Sequence, residues 1–117
     1  MFENIKNSEK VVIAINELIT KLPDKEITTS EFVALLADYD MCNGSAIPSD
    51  YCYNIVNRGI YIDSTPTVLE FVKPGLYICR GENYNYNGPI KWKNKVVGEC
   101  INGKRIIDKE YIHLFKY

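Results

Sequence analysis

The densest concentration of chemically useful side chains lies between positions 84 and 95, where Tyr84, Tyr86 and Trp92 interleave with Lys91, Lys93 and Lys95. Aromatic faces stack on bases and ammonium groups hold phosphates, so this mixture suits nucleic-acid backbone or single-strand contacts; equally, such rings serve to cover a sheet. Little else in the chain is poised for reaction chemistry. The one histidine, His113, stands in an aromatic tail, and a single histidine rules out any two-histidine motif. No nucleophile-elbow, P-loop or dinucleotide glycine pattern occurs, so no catalytic residue and no cofactor is expected. The four cysteines, Cys42, Cys52, Cys79 and Cys100, contain no closely spaced pair of the kind a structural zinc site uses. They read as unpaired thiols, and no metal is expected. Asp38 and Asp40 would diverge on a helix rather than converge on an ion.

Composition sets the frame for these side chains. The chain has 117 residues, 46% hydrophobic and 25% charged, enough for one folded core without staples. The longest apolar run, residues 11–15, is far too short to span a bilayer, and the first residues lack the pattern of a signal peptide. A cytoplasmic protein with no membrane partner is expected. Net charge is only −1, but it is unevenly spread. Residues 1–57 carry four basic and nine acidic side chains, whereas residues 58–117 carry ten basic and six acidic. That asymmetry points to a charged partner.

Periodicity supplies the elements that must position these groups. Val11, Ile15, Leu18 and Leu22 recur at helical spacing, predicting a helix over 8–22 that is capped by Ser8 and stopped by Pro23. Thr28 and Glu31 form a capping box ahead of Phe32, Leu35, Leu36 and Tyr39, predicting a second helix that ends at the Asn43-Gly44 turn. A short third helix is predicted from Ser49 to just before Gly59. It would put Tyr51, Cys52, Ile55 and Val56 on one face, and Asp50, Tyr53, Asn54 and Asn57 on the other with Arg58 beside them. The period then changes to two. Residues 68–72 and 76–80 read as strands about the Lys73-Pro74-Gly75 turn, 81–89 as a loop, and 96–101 and 104–108 as a hairpin whose Asn102-Gly103 tip demands a type I′ turn. In that hairpin Val97 and Ile101 are expected to face away from Cys100. The tail, 111–117, is expected to be a last strand or an extended segment.

Helix, helix, short helix and hairpin is the element order of a winged helix-turn-helix domain, and residues 8–80 resemble one. The expected fold class is therefore α+β: one domain, 1–117, with an N-terminal three-helix, winged-helix-like unit (8–80) followed by antiparallel β-hairpins (81–117). In that family the third helix enters the major groove of duplex DNA and the wing touches the flanking backbone. The resemblance implies contacts from Tyr53, Asn54, Asn57 and Arg58, with Lys73 at the wing tip and support from Lys91, Lys93 and Lys95. It departs from the family in its longer link between the second and third helices and in its single basic residue on the third. The segments 49–54 and 81–89 are also similar to a small family of bacterial proteins of unassigned function. A regulatory or phage-related DNA-binding role is expected. The alternative is a module that docks a protein partner on its aromatic C-terminal half.

Overall fold

The structure, a computed structural model, describes residues 5–42 and 44–117. Helix α1, Asn7–Lys21, buries Val11, Ala14 and Ile15 along one stripe and ends at Leu22, before Pro23. Its N-cap is Lys6 rather than Ser8, and no side chain closes that end. Strand β1, Glu26–Thr28, leads directly into helix α2, Thr29–Ala37. The capping box forms as its sequence requires. The Thr28 hydroxyl accepts from the Glu31 N–H at 3.2 Å, and the Glu31 carboxylate accepts from the Thr28 N–H at 2.9 Å. The backbone bond from Thr28 also lowers the carboxyl pKa of Glu31. Lys10 of α1, almost wholly buried, donates to the Asp40 carbonyl at 3.3 Å and so ties α1 to the turn that follows α2. Gly44 supplies a positive φ of 84° in the next turn, while Asn43 lies outside the described residues.

Two three-stranded antiparallel sheets follow, and they replace the expected architecture. The first, in the order β1-β3-β2, is made by β2, Leu69–Lys73, and β3, Leu76–Cys79, together with β1. The second, in the order β4-β5-β6, comprises β4, Gly88–Trp92, β5, Lys95–Ile101, and β6, Lys104–Ile107. The Asn102-Gly103 tip has φ values of +51° and +81°, as a type I′ turn needs. Ile101 faces solvent and Cys100 is buried, but Val97 is buried as well. A bulge explains the miss: Ile90 pairs with Gly98 and Lys91 with Val96, leaving Val97 as the extra residue and flipping the alternation. Gly98 is required, since a Cβ there would stand 2.2 Å from the Ile106 carbonyl oxygen. Strand β4 lies partly in the segment expected to be loop. The tail is a 3₁₀ turn, Lys109–Leu114, after which Lys116 bridges to Tyr61.

The three-helix, winged-helix-like unit is absent. In place of a third helix stands one 3₁₀ turn, Pro48–Tyr51, and then an extended segment that joins the two sheets. Cys52 bridges Leu69 of β2 in parallel, and Ile55 bridges Lys91 of β4 in parallel. Tyr53 N–H donates to Leu69 O at 2.9 Å, Lys91 N–H to Asn54 O at 3.0 Å, and Val56 N–H to Lys91 O at 3.1 Å. The residue types explain the outcome. Tyr51, Cys52, Tyr53 and Val56 are all buried, so the segment is covered on both faces, which a short surface helix cannot achieve. Ile55 and Val56 are β-branched, and Asn54 and Asn57 are poor helix formers.

The segment also divides the interior. Tyr51 and Cys52 belong to a core with α1, α2 and the first sheet, whereas Tyr53 and Val56 belong to a second core with Ile90, Val97, Cys100, Ile107 and Phe115.

Candidate nucleic-acid interface

Where the joining segment leaves β2 for β4, the two hairpins part and a cleft of about 550 Å³ opens. Asn54, Ile55, Val56 and Asn57 form one wall, Phe71 and Val72 of β2 line it, and Lys91, Trp92, Lys93 and Asn94 close it from the second sheet. Asn54 is fixed by β2. Its amide nitrogen donates to Phe71 O at 2.9 Å, and its amide oxygen accepts from Phe71 N–H at 2.8 Å. The side chain thus stands in for the peptide group that a continuing strand would present. Asn57 is fixed by the 3₁₀ turn, donating to the Ser49 hydroxyl at 2.9 Å and the Asp50 carboxylate at 2.7 Å.

The charged walls are freer. Lys91 and Lys93 are exposed, and the Lys93 ammonium sits 5.0 Å from the Trp92 ring centroid. A type I′ geometry at Lys93 and Asn94, with φ of +49° and +63°, turns β4 into β5 and sets Lys93 over the Trp92 ring. No Asp or Glu lines this cleft. Tyr86, also in the lining, has its hydroxyl pKa raised chiefly by burial.

Of the eight residues expected to contact a partner, the structure brings Asn54, Asn57, Lys91 and Lys93 to this cleft. Tyr53 is withdrawn into the second core with no exposed surface. Its hydroxyl lies 2.7 Å from Gly81 O and 3.0 Å from Glu82 O, and it accepts from Tyr84 N–H at 3.3 Å. Arg58 lies exposed in the turn beyond the segment, Lys73 at the end of β2, and Lys95 with its ammonium 5.8 Å from the Tyr111 ring; none of the three lines the cleft. The sequence reading passed over Phe71 and Asn94, whereas Trp92 between Lys91 and Lys93 belongs to the aromatic and basic cluster that the sequence marks. Position 71 looked like any inward strand residue, and only the parting of the hairpins exposes its ring.

Burial pushes the Cys79 thiol up to about 11 and raises those of Cys52 and Cys100, so these thiols are held protonated. The described cysteines form no disulfide. Among the described residues no cluster of three or more histidine, cysteine or acidic side chains could hold a metal, and no helix is long and apolar enough to cross a membrane.

The class these observations define is an α+β protein of two antiparallel sheets joined edge to edge by an extended segment, with a basic, aromatic cleft at the junction. Residues 7–107 match the family described as Domain of unknown function (DUF7225), and the chain belongs to that family. It is also similar to the "Uncharacterized protein YnaC" of Bacillus subtilis (strain 168), with 34% identity over 109 residues. That alignment covers 88% of this chain and 37% of the relative, so the chain spans little more than a third of that protein's length. No solved structure matches the chain.

Proposed function

We propose that the chain is a non-catalytic nucleic-acid-binding module that holds an unpaired strand at the cleft between its two sheets. One observation carries the reading: Lys91 and Lys93 flank Trp92 in a cleft that contains no carboxylate, although the chain as a whole is slightly acidic. Lysines at such a spacing hold successive phosphates, and the half-buried Trp92 ring between them, packed on the second core, offers its cleft side to a base, each stack contributing roughly 1–3 kcal/mol. Insertion of a recognition helix into duplex DNA is not part of this reading, because that helix does not exist and the amides of Asn54 and Asn57 already serve the protein itself.

The test is a fluorescence-anisotropy titration of a mixed-sequence single strand and of the matching duplex at low salt. Tighter binding of the single strand is expected, with affinity falling as salt rises. Lys91→Ala or Lys93→Ala should each lower the log–log salt slope by about 0.7. Absence of binding up to roughly 100 µM, weaker than ordinary non-specific contacts, defeats the proposal. A second reading, docking of a protein partner, draws on Val96, Ile101 and Ile106, which are 49%, 44% and 48% exposed on the second sheet. Binding to a protein through those side chains would persist at high salt.

A further inference from the structure

At the other end of β5, about six residues and roughly 20 Å from the cleft, lies a separate cavity of about 340 Å³. The β5–β6 tip forms one side of it, with Gly103 N–H donating to Tyr86 O at 2.9 Å and Asn102 N–H to the Asn87 side chain at 2.9 Å. The loop carrying Thr65 and Thr67 forms the other side. At its floor is Arg105, which is only 6% exposed.

This arginine is incompletely served. Its Nη2 donates to Ile62 O at 3.1 Å and Thr65 O at 2.8 Å, but its Nη1 is buried with no partner. The ion pairs of the described residues are both made by Arg80, with Asp24 and Glu70, and none reaches Arg105. A guanidinium taken out of water without a carboxylate is costly, and proteins tolerate one mainly where something else completes it. The bare need for an anion is qualified by the rest of the lining. Lys104 adds a second cation, while the exposed carboxylates Asp63 and Glu82 stand in the same cavity. A phosphate, with its higher negative charge, would meet those carboxylates. A molecule carrying one carboxylate and one ammonium would satisfy both sets.

We propose that this cavity binds a small zwitterion of the amino-acid class, its carboxylate on Arg105 and Lys104 and its ammonium toward Asp63 and Glu82. The unpartnered Nη1 offers a carboxylate a charge-assisted hydrogen bond, and the volume admits a free amino acid but not a folded chain segment. This site stands apart from the strand-binding cleft, and neither proposal depends on the other.

The test titrates the full ¹⁵N-labelled chain with L-glutamine, acetate and inorganic phosphate at matched ionic strength, following the amides of Thr65 and Gly103 and the Arg105 Nε–H by NMR. Saturable shifts are expected with L-glutamine, weaker ones with acetate and the weakest with phosphate. Arg105→Met should abolish them. Changing both exposed carboxylates, Asp63→Asn with Glu82→Gln, should weaken L-glutamine about tenfold while strengthening acetate. This second variant alters only surface side chains and decides the matter if Arg105→Met fails to fold. No saturable shift with L-glutamine at 10-millimolar order, phosphate as the strongest probe, or L-glutamine binding indifferent to both variants overturns the proposal.

Discussion

Asn54 and Arg105 are both polar side chains drawn inward, Asn54 onto the β2 edge of the first sheet and Arg105 from β6 of the second, and their hydrogen bonding differs. Asn54 engages its amide nitrogen and its amide oxygen with a single peptide unit, Phe71, and so completes the edge of β2. Arg105 is more deeply buried, yet it finds only two carbonyls for one nitrogen, and its other terminal nitrogen finds nothing. The first group is finished by the fold; the second is left short by it. Satisfaction of polar groups, more than depth of burial, separates the side chain that holds the sheets together from the one that awaits a ligand.

The largest expected effect breaks the finished end. Asn54→Leu leaves the Phe71 N–H and C=O without partners in a partly buried edge, and should cost about 2–4 kcal/mol. Urea denaturation measures it, and a loss under about 1 kcal/mol would mean the amide pairing contributes little to joining the sheets. Arg105→Met should cost less, within about 1.5 kcal/mol of wild type, because losing two hydrogen bonds is offset by removing an unpaired buried cation. A larger loss at Arg105 than at Asn54 would reverse the comparison. Thr28→Ala, remote from both ends, gives a reference of about 1 kcal/mol for removing one arm of a capping box whose geometry is complete.

Thr28 also shows what the sequence makes legible. A capping box and an Asn-Gly tip are local devices: each specifies a few dihedrals through its own atoms, and both stand where the pattern puts them. The stripe Val11, Ile15, Leu18 marks α1 for the same reason, since its period is written along one segment. The segment 51–57 is different. Its apolar residues fit a helical face and a two-sided strand equally well, and the choice depends on the edges of β2 and β4, which come later in the chain. Short apolar runs are ambiguous in this way because a buried strand has no period of its own. Winged-helix order was read from that ambiguous segment, and the three-helix unit failed with it, while the α+β class and its antiparallel hairpins stand. Strand β4 was hidden by Gly88 and Pro89, residues that mark turns and are tolerated on an edge. Of the cleft, Lys91, Lys93, Asn54 and Asn57 could be singled out by type, but not the structural duties of the two amides. Arg105 looked like one more cation on a strand, because its isolation is a property of its surroundings.

The smallest expected effect on stability sharpens the comparison within the cleft itself. Asn54 and Lys91 both line it, and Lys91 even pairs through its backbone with Asn54, but the Lys91 ammonium is exposed and forms no ion pair among the described residues. The same holds for Lys93, whose ammonium rests over the Trp92 ring. An exposed cation–π contact is worth roughly 0.5–1 kcal/mol at most, and an exposed lysine without partners contributes almost nothing. Lys91→Ala and Lys93→Ala should therefore leave the urea midpoint within the equivalent of about 0.5 kcal/mol for Lys91 and about 1 kcal/mol for Lys93. Their effect belongs to binding, where the double variant should lower the salt slope for a single strand by about 1.4 if both contact phosphate. Asn54→Leu should do the reverse, moving stability first and binding only through the loss of the cleft wall. If instead the lysine variants unfold easily and leave the salt slope untouched, the cleft is part of the scaffold and the strand-binding proposal falls.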